Sequence, residues 1–208
     1  MLQAIQLECT RGPRPLFSGL DFELRRGERL YLTGSNGSGK TSLMRILCGL
    51  LTPDGGEVLW NGAPIRSLAE DYNRELAYIG HANGVKDELT PLENLRIACQ
   101  LSGVRADDTL GAALQDFGLA GYERAPVKTL SQGQRRRAAL ARLAISERQP
   151  LWLLDEPFAA LDKSAVAHLE QLIATHREQG GMVVMTSHEP PQAEGPGVKT
   201  VELLGRAA

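Results

Sequence analysis

With 208 residues, 42% of them apolar, and a formal charge of −2, the chain is long enough for one well-cored domain and has no overall electrostatic pull toward nucleic acid. Its three cysteines, Cys9, Cys48 and Cys99, are widely spaced, odd in number and lack CxxC pairing, which suggests neither a disulfide framework nor a zinc site and fits a reducing compartment. No run approaches the ~18 apolar residues of a membrane span, and MLQAIQLECTRGPRP lacks the layout of a secretory signal, so any work at a membrane is expected to go through a partner.

In chain order, Ala4 to Glu8 and Leu20 to Leu24 predict short strands around a Gly/Pro turn cluster, Arg11 to Pro15. RLYLT, Arg29 to Thr33, is an apolar run that a glycine ends, as expected of a buried strand. From Thr41 to Leu50 the spacing of Leu43, Ile46, Leu47 and Leu50 gives one helical face. TPDGGEVLWNG then reads as turn, strand and tight turn, and Leu76 to Ile79 as a further strand. Between about His81 and Gln149 the pattern is helical and carries no strand. Strand character returns at Leu151 to Leu154 and Met182 to Thr186, with a helix from Ala165 to Glu178 between them. Strands alternating with helices at both ends predict an α/β core interrupted by a helical insertion. The short tail after Pro190 predicts no accessory domain.

The chemistry starts at GSNGSGKTS: Gly34, Ser35, Asn36, Gly37, Ser38, Gly39, Lys40, Thr41 and Ser42. These residues match G-x-x-x-x-G-K-S/T between a predicted strand and a predicted helix, the context that gives this motif its meaning. Glycines let successive N–H groups turn inward toward phosphate oxygens, and the helix N-terminus adds partial positive charge. Lys40 is expected to neutralise the β- and γ-phosphates and the Thr41 hydroxyl to ligate Mg2+. The plain alternative, a glycine-rich turn with Lys40 in solvent, leaves LWLLDEP unexplained. There a buried strand delivers Asp155 and Glu156 to its C-terminal end, the edge where open α/β sheets bind ligands. Asp155 is the candidate Mg2+ ligand and Glu156 the candidate general base.

At Leu130 to Gln134 the chain reads LSQGQ, which resembles the LSGGQ signature of ABC ATPases, with Gln132 in place of its first glycine. The order of phosphate loop, signature, LLDEP, ALD and a lone histidine is similar to that family's along nearly the whole chain. The resemblance implies an α/β P-loop NTPase, an ABC nucleotide-binding domain with a RecA-like core, an antiparallel β subdomain and an inserted α-helical subdomain. It implies a single domain over 1–208, with a core lobe of about 1–80 and 150–208 and a helical lobe of about 81–149. It also implies ATP hydrolysis in a head-to-tail homodimer, the signature of one subunit covering ATP on the phosphate loop of the other. Ser131, Gly133 and Gln134 then form the signature contact, Asp162 of AALD reaches across the interface, and His188 of TSHEP touches the γ-phosphate and holds the water of Glu156. Ser131 and Gly133 also open a predicted helix, a second anion site on physical grounds alone.

Two positions depart from the family pattern. His81 of LAYIGH stands where a glutamine usually joins the lobes, and its imidazole either hydrogen-bonds in that role or makes γ-phosphate sensing pH-dependent. Arg11 stands near the usual adenine-stacking aromatic, so either its guanidinium stacks on the base or the purine is loosely held.

Within the family, LFSGLDFELRRGERL, YIGHANGVKDELTPLENL and LSQGQRRRAALARL most resemble the ATP-binding subunits of cytochrome c biogenesis, long called heme exporters. This implies a peripheral protein on the cytoplasmic side of the bacterial inner membrane, docked on integral permease subunits of the cytochrome c maturation complex. Heme is not expected to bind this chain, which lacks CxxCH. Docking is expected in the region from His81 to Leu95, where Val85, Leu89, Leu92 and Leu95 alternate with charged residues. Two alternatives remain: the ATPase of a transporter with another cargo, or a soluble ABC ATPase on nucleic acid or ribosomes, with Arg135, Arg136 and Arg137 as its surface. No aromatic platform accompanies those arginines.

Overall fold

The computed structural model describes residues 1–68, 70–104, 109–146, 148–187 and 195–204. Strand β1 (Leu2–Arg11) turns through Gly12 and Pro13 into β2 (Arg14–Leu24). Both strands run past their predicted limits, because a bulge at Gln6, with φ 48°, rephases β1 so that Leu2 and Ala4 before it and Leu7 and Cys9 after it all face the core. The Gln6 N–H donates to Asp21 Oδ1 at 2.7 Å, and a Cβ on the opposing Gly56 would lie 2.2 Å from the Gln6 carbonyl oxygen, so only glycine fits at 56.

The chain continues through β3 (Arg29–Thr33), α1 (Lys40–Leu47), β4 (Gly55–Trp60), β5 (Ala63–Pro64), α2 (Ile65–Leu68), α3 (Glu70–Arg74) and β6 (Leu76–Ile79). It goes on through α4 (Pro91–Leu101), α5 (Thr109–Asp116), α6 (Gln132–Leu140), β7 (Leu151–Leu154), α7 (Lys163–Glu178), β8 (Met182–Thr186) and β9 (Val198–Glu202), with 3-10 turns at Val127–Thr129 and Ala141–Ile145. Four strands, β3, β6, β7 and β8, have the predicted bounds. Helix α1 stops three residues short of Leu50, because the N–H groups of Leu50 and Leu51 both turn back to the Arg45 carbonyl and Gly49 takes a φ of 74°. No clear period in the sequence announces β5, α2, α3 or β9, which are too short or too exposed to show one.

The described chain forms two compact units. The first comprises Met1–Tyr78, Gln149–Glu156 and His176–Ala208. It holds an antiparallel sheet in the order β2-β1-β4-β5 and a five-stranded sheet in the order β6-β7-β8-β3-β9, parallel at the β7–β8, β8–β3 and β3–β9 pairs. Leu30, Leu32, Leu151, Leu153 and Val184 are fully buried, as expected of parallel strands covered on both faces. Register sets Leu32 against Thr186 and Leu154 against Met185, so the C-terminal ends of β3, β7 and β8 share one edge.

The second unit comprises Ile79–Arg148 and Pro157–Thr175 and is helical. Its α4 starts at a capping box, with Pro91 in the first turn and the Thr90 and Glu93 side chains each bonding the other's backbone N–H. The sequence reading put residues 157–175 in the core lobe. They pack with the helical unit, because Asp162 pairs with Arg137, Phe117 meets His168 edge-on at 4.7 Å and the Ala160 carbonyl abuts Gly133.

Candidate active site

A cleft of about 320 Å³ in the first unit is lined by Arg11, Arg14, Leu16, Asn36, Gly37, Gly39, Lys40, Thr41, Ser42 and Glu156. One wall is the phosphate loop. Gly39 caps α1 with a φ of 107° and no side-chain bond, which leaves the first helical N–H groups for an anion. Lys40 is buried and donates from Nζ to the Gly34 carbonyl at 2.6 Å and to the Ser35 carbonyl at 3.1 Å, so its ammonium is held inside the curl of the loop. Gly34, with φ 140°, is required for a reason absent from the motif: a Cβ there would lie 2.5 Å from the Leu203 carbonyl oxygen. Leu203 follows β9, and its N–H donates to the Thr33 carbonyl at 2.9 Å. The unanticipated last strand therefore fixes the loop's first glycine.

The opposite chemistry comes from β7 and β8. Asp155 is buried, and its Oδ1 accepts from the Thr186 hydroxyl at 2.8 Å. That hydroxyl oxygen in turn accepts from the Glu156 backbone N–H at 2.7 Å. Glu156 is held in the left-handed region, φ 49°, a conformation costing roughly 1–3 kcal/mol that persists only where neighbours enforce it. Thr186 was missed in the sequence; its signal was a polar residue ending an apolar strand. Arg14 was also missed, having been read as part of a turn.

Ser131, Gly133, Gln134, Asp162 and His81 belong to the second unit. Ser131 caps α6: its Oγ accepts from the Gln134 N–H at 3.2 Å, and Gln134 Oε1 accepts from the Ser131 N–H at 2.9 Å. A Cβ on Gly133 would lie 2.8 Å from the Ala160 carbonyl oxygen, so the signature glycine is needed for close packing. Asp162 caps α7, with Oδ1 accepting from the Ala165 N–H at 2.9 Å and the Ser164 hydroxyl at 2.8 Å while Oδ2 meets Arg137 at 3.0 Å. The Ala165 and Ser164 bonds and the Arg137 charge hold this carboxyl below the usual carboxylate range. His81 is exposed, and His188 lies outside the described residues.

The arginine run is engaged inside its own unit. Arg135 donates to the Lys128 and Leu130 carbonyls and faces Asp87, buried Arg136 donates to the Gly80 carbonyl at 2.9 Å, and Arg137 holds Asp162. Of the four apolar residues in the expected docking region, Leu95 is core, whereas Val85, Leu89 and Leu92 are half-buried.

The sequence pattern of the family described as ABC transporter matches residues 17–159. The chain belongs to the ABC transporter family. As a member of that family it is an ATP hydrolase. It is 53% identical to the cytochrome c biogenesis ATP-binding export protein CcmA of Dechloromonas aromatica over 91% of this chain and 93% of that one. The protein of the same name from Nitrosomonas europaea is 52% identical over 91% of this chain and 89% of its own length. Among solved structures, an ATP-binding subunit of an ABC transporter superposes with a TM-score of 0.82 at 27% identity, covering 90% of this chain and 79% of that one. A dimeric bacterial ABC transporter cassette superposes with a TM-score of 0.80 at 24% identity, covering 91% and 88%, and supports the fold alone. Among the described residues no helix is long and apolar enough to cross a membrane.

Proposed function

We propose that the chain is the ATP-hydrolysing subunit of a membrane export complex in cytochrome c biogenesis, acting as a head-to-tail homodimer docked on integral permease subunits at the cytoplasmic face of the bacterial inner membrane. The pathway rests on the 53% identity to the cytochrome c biogenesis relative. What carries the chemistry is one cleft lined by Lys40, Thr41 and Glu156. In this reading the uncapped start of α1 and the Lys40 ammonium bind the phosphates, and Glu156 orients the attacking water and takes its proton. Ser131 and Gly133 of a second copy cover the γ-phosphate, with Asp162 beside them and His188 steadying the water.

Mg2+ fits the hard oxygens present, the Thr41 hydroxyl, which lines the cleft, and the Asp155 carboxylate, which immediately precedes the lining residue Glu156. When bound, the ion would be held by these two residues, with water and phosphate completing its shell, and would neutralise phosphate charge. Heme is not a ligand of this chain in the proposal. ATP closes the dimer and hydrolysis reopens it, which moves the permease through the helical unit and the half-buried Val85, Leu89 and Leu92.

The test is affinity purification of tagged Glu156→Gln protein from gently solubilised native membranes with ATP and Mg2+, followed by mass spectrometry. Permease subunits of cytochrome c maturation should copurify, and the variant should bind ATP with turnover reduced at least ~10³-fold. An unrelated permease, ribosomes or DNA in its place would refute the assigned pathway, and parental turnover would refute the role of Glu156.

A further inference from the structure

In the helical unit, residues 80–90 ahead of α4 form neither helix nor strand, so other contacts must hold their shape. The later half is tied down locally. The Lys86 N–H donates to Asn94 Oδ1 at 2.7 Å, Asn94 Nδ2 donates to the Lys86 carbonyl at 3.1 Å, and the Lys128 and Val127 N–H groups donate to the Asp87 and Leu89 carbonyls, both at 2.9 Å. The earlier half carries His81 and is held from α6. Arg136 Nη1 donates to the Gly80 carbonyl at 2.9 Å and to Asn83 Oδ1 at 3.2 Å, one acceptor on each side of the histidine.

Arg136 is only 4% exposed. A guanidinium costs free energy to bury unless its donors are met, and its charge strengthens each bond it then makes. Closing a surface loop does not call for such a residue, whereas holding that loop in one geometry does. Ser131 caps the same helix, so the helix that presents the signature cap also carries the clamp on the His81 loop. We infer that Arg136 is a positioning residue: it fixes the His81 loop to α6, so that His81 and Ser131 are presented as one rigid piece during turnover. This role rests on the signature function of Ser131 proposed above. Arg136 itself touches no nucleotide in this scheme and acts only through the loop and the cap, so the clamp governs turnover and leaves ATP binding on the phosphate loop alone.

The experiment takes the full chain purified with its membrane partner, and reads kcat from phosphate release and Kd from the fluorescence of mant-ATP. Arg136→Met fills the buried space without the donors and should lower kcat roughly tenfold with Kd within about twofold of the parent. Asn83→Ala removes one acceptor and should lower kcat roughly threefold, whereas Asn83→Asp, which keeps an acceptor for the guanidinium, should retain at least about half of it. The double variant Arg136→Met, Asn83→Ala should turn over no more slowly than Arg136→Met alone, where independent residues would give a loss of roughly thirtyfold. Asn83 is half-buried in a loop, so its two variants decide the matter even where Arg136→Met fails to fold. Parental kcat in Asn83→Ala, equal losses in Asn83→Ala and Asn83→Asp, multiplying losses in the double variant, or a Kd that weakens in step with kcat would each overturn this inference and leave the ATPase reading standing. Absence of turnover in the parental complex would overturn both.

Discussion

At the scale of single residues, the phosphate-loop letters were legible because each glycine and the lysine answer a need of phosphate itself. The residues that hold the machinery in shape were not, because their partners are distant in sequence. Thr186 is the clearest case. One hydroxyl fixes the Asp155 carboxylate and the backbone of Glu156, thirty positions upstream of it. Replacing it by valine keeps the buried shape and removes both bonds. Glu156 would then relax from its left-handed conformation, and its carboxylate would lose its aim. Thr186→Val should lower kcat roughly 10–100-fold with KM for ATP little changed, and Thr186→Ser should recover most of the loss. An unchanged kcat in Thr186→Val would show that Glu156 is positioned by something else.

At the scale of elements, periodicity revealed those with a strong pattern and fell silent on those decided by packing. Strands β3, β7 and β8 are continuous apolar runs, and their limits were readable. Strand β9 sits at the sheet edge with only half-buried valines, so nothing in VKTVE announced that the carbonyl just beyond it would require Gly34. The end of α7 holds a second such feature. His176 lies flat on Trp152 of β7, with ring centroids 3.8 Å apart and an interplanar angle of 6°. A Cβ on Gly181 would lie 2.2 Å from its Nε2, so glycine there is the space the ring needs. Burial lowers this imidazole from 6.5 to about 4, against the opposing effect of backbone bonds with Pro150 and Met182. Because the folded value lies below the unfolded one, the neutral ring contributes its full stability above pH 6.5. As pH falls from 6.5 toward 4 the unfolded chain takes up a proton that the folded chain refuses, and stability is lost through that window. Between pH 7 and pH 5 this one group should remove about 2 kcal/mol, read from urea midpoints. His176→Phe keeps a stacked ring without the titration, so its stability should vary less over the same interval by that amount. Equal slopes for the two proteins would assign the acid sensitivity elsewhere.

At the scale of the whole molecule, the sequence offered two anion sites on one chain and a family resemblance that divides them between two subunits. The phosphate loop belongs to the first unit and the signature, with Ser131 and Gly133, to the second. If each nucleotide is sandwiched between different copies, damage to the two sites should complement in trans. Lys40→Ala destroys the phosphate end, while Ser131→Arg blocks the signature end with a long cation at an exposed helix cap. As homodimers each variant has two broken sites and should be inactive. In a mixed dimer one site joins the damaged loop to the damaged signature, and the other joins an intact loop to an intact signature. Co-expression with two different tags, followed by tandem purification with the membrane partner, isolates that mixed form. Head-to-tail assembly predicts ATP hydrolysis recovered to about half the parental rate, one site in two. If loop and signature instead served the same nucleotide within one chain, every site in the mixture would carry one lesion and no activity would return.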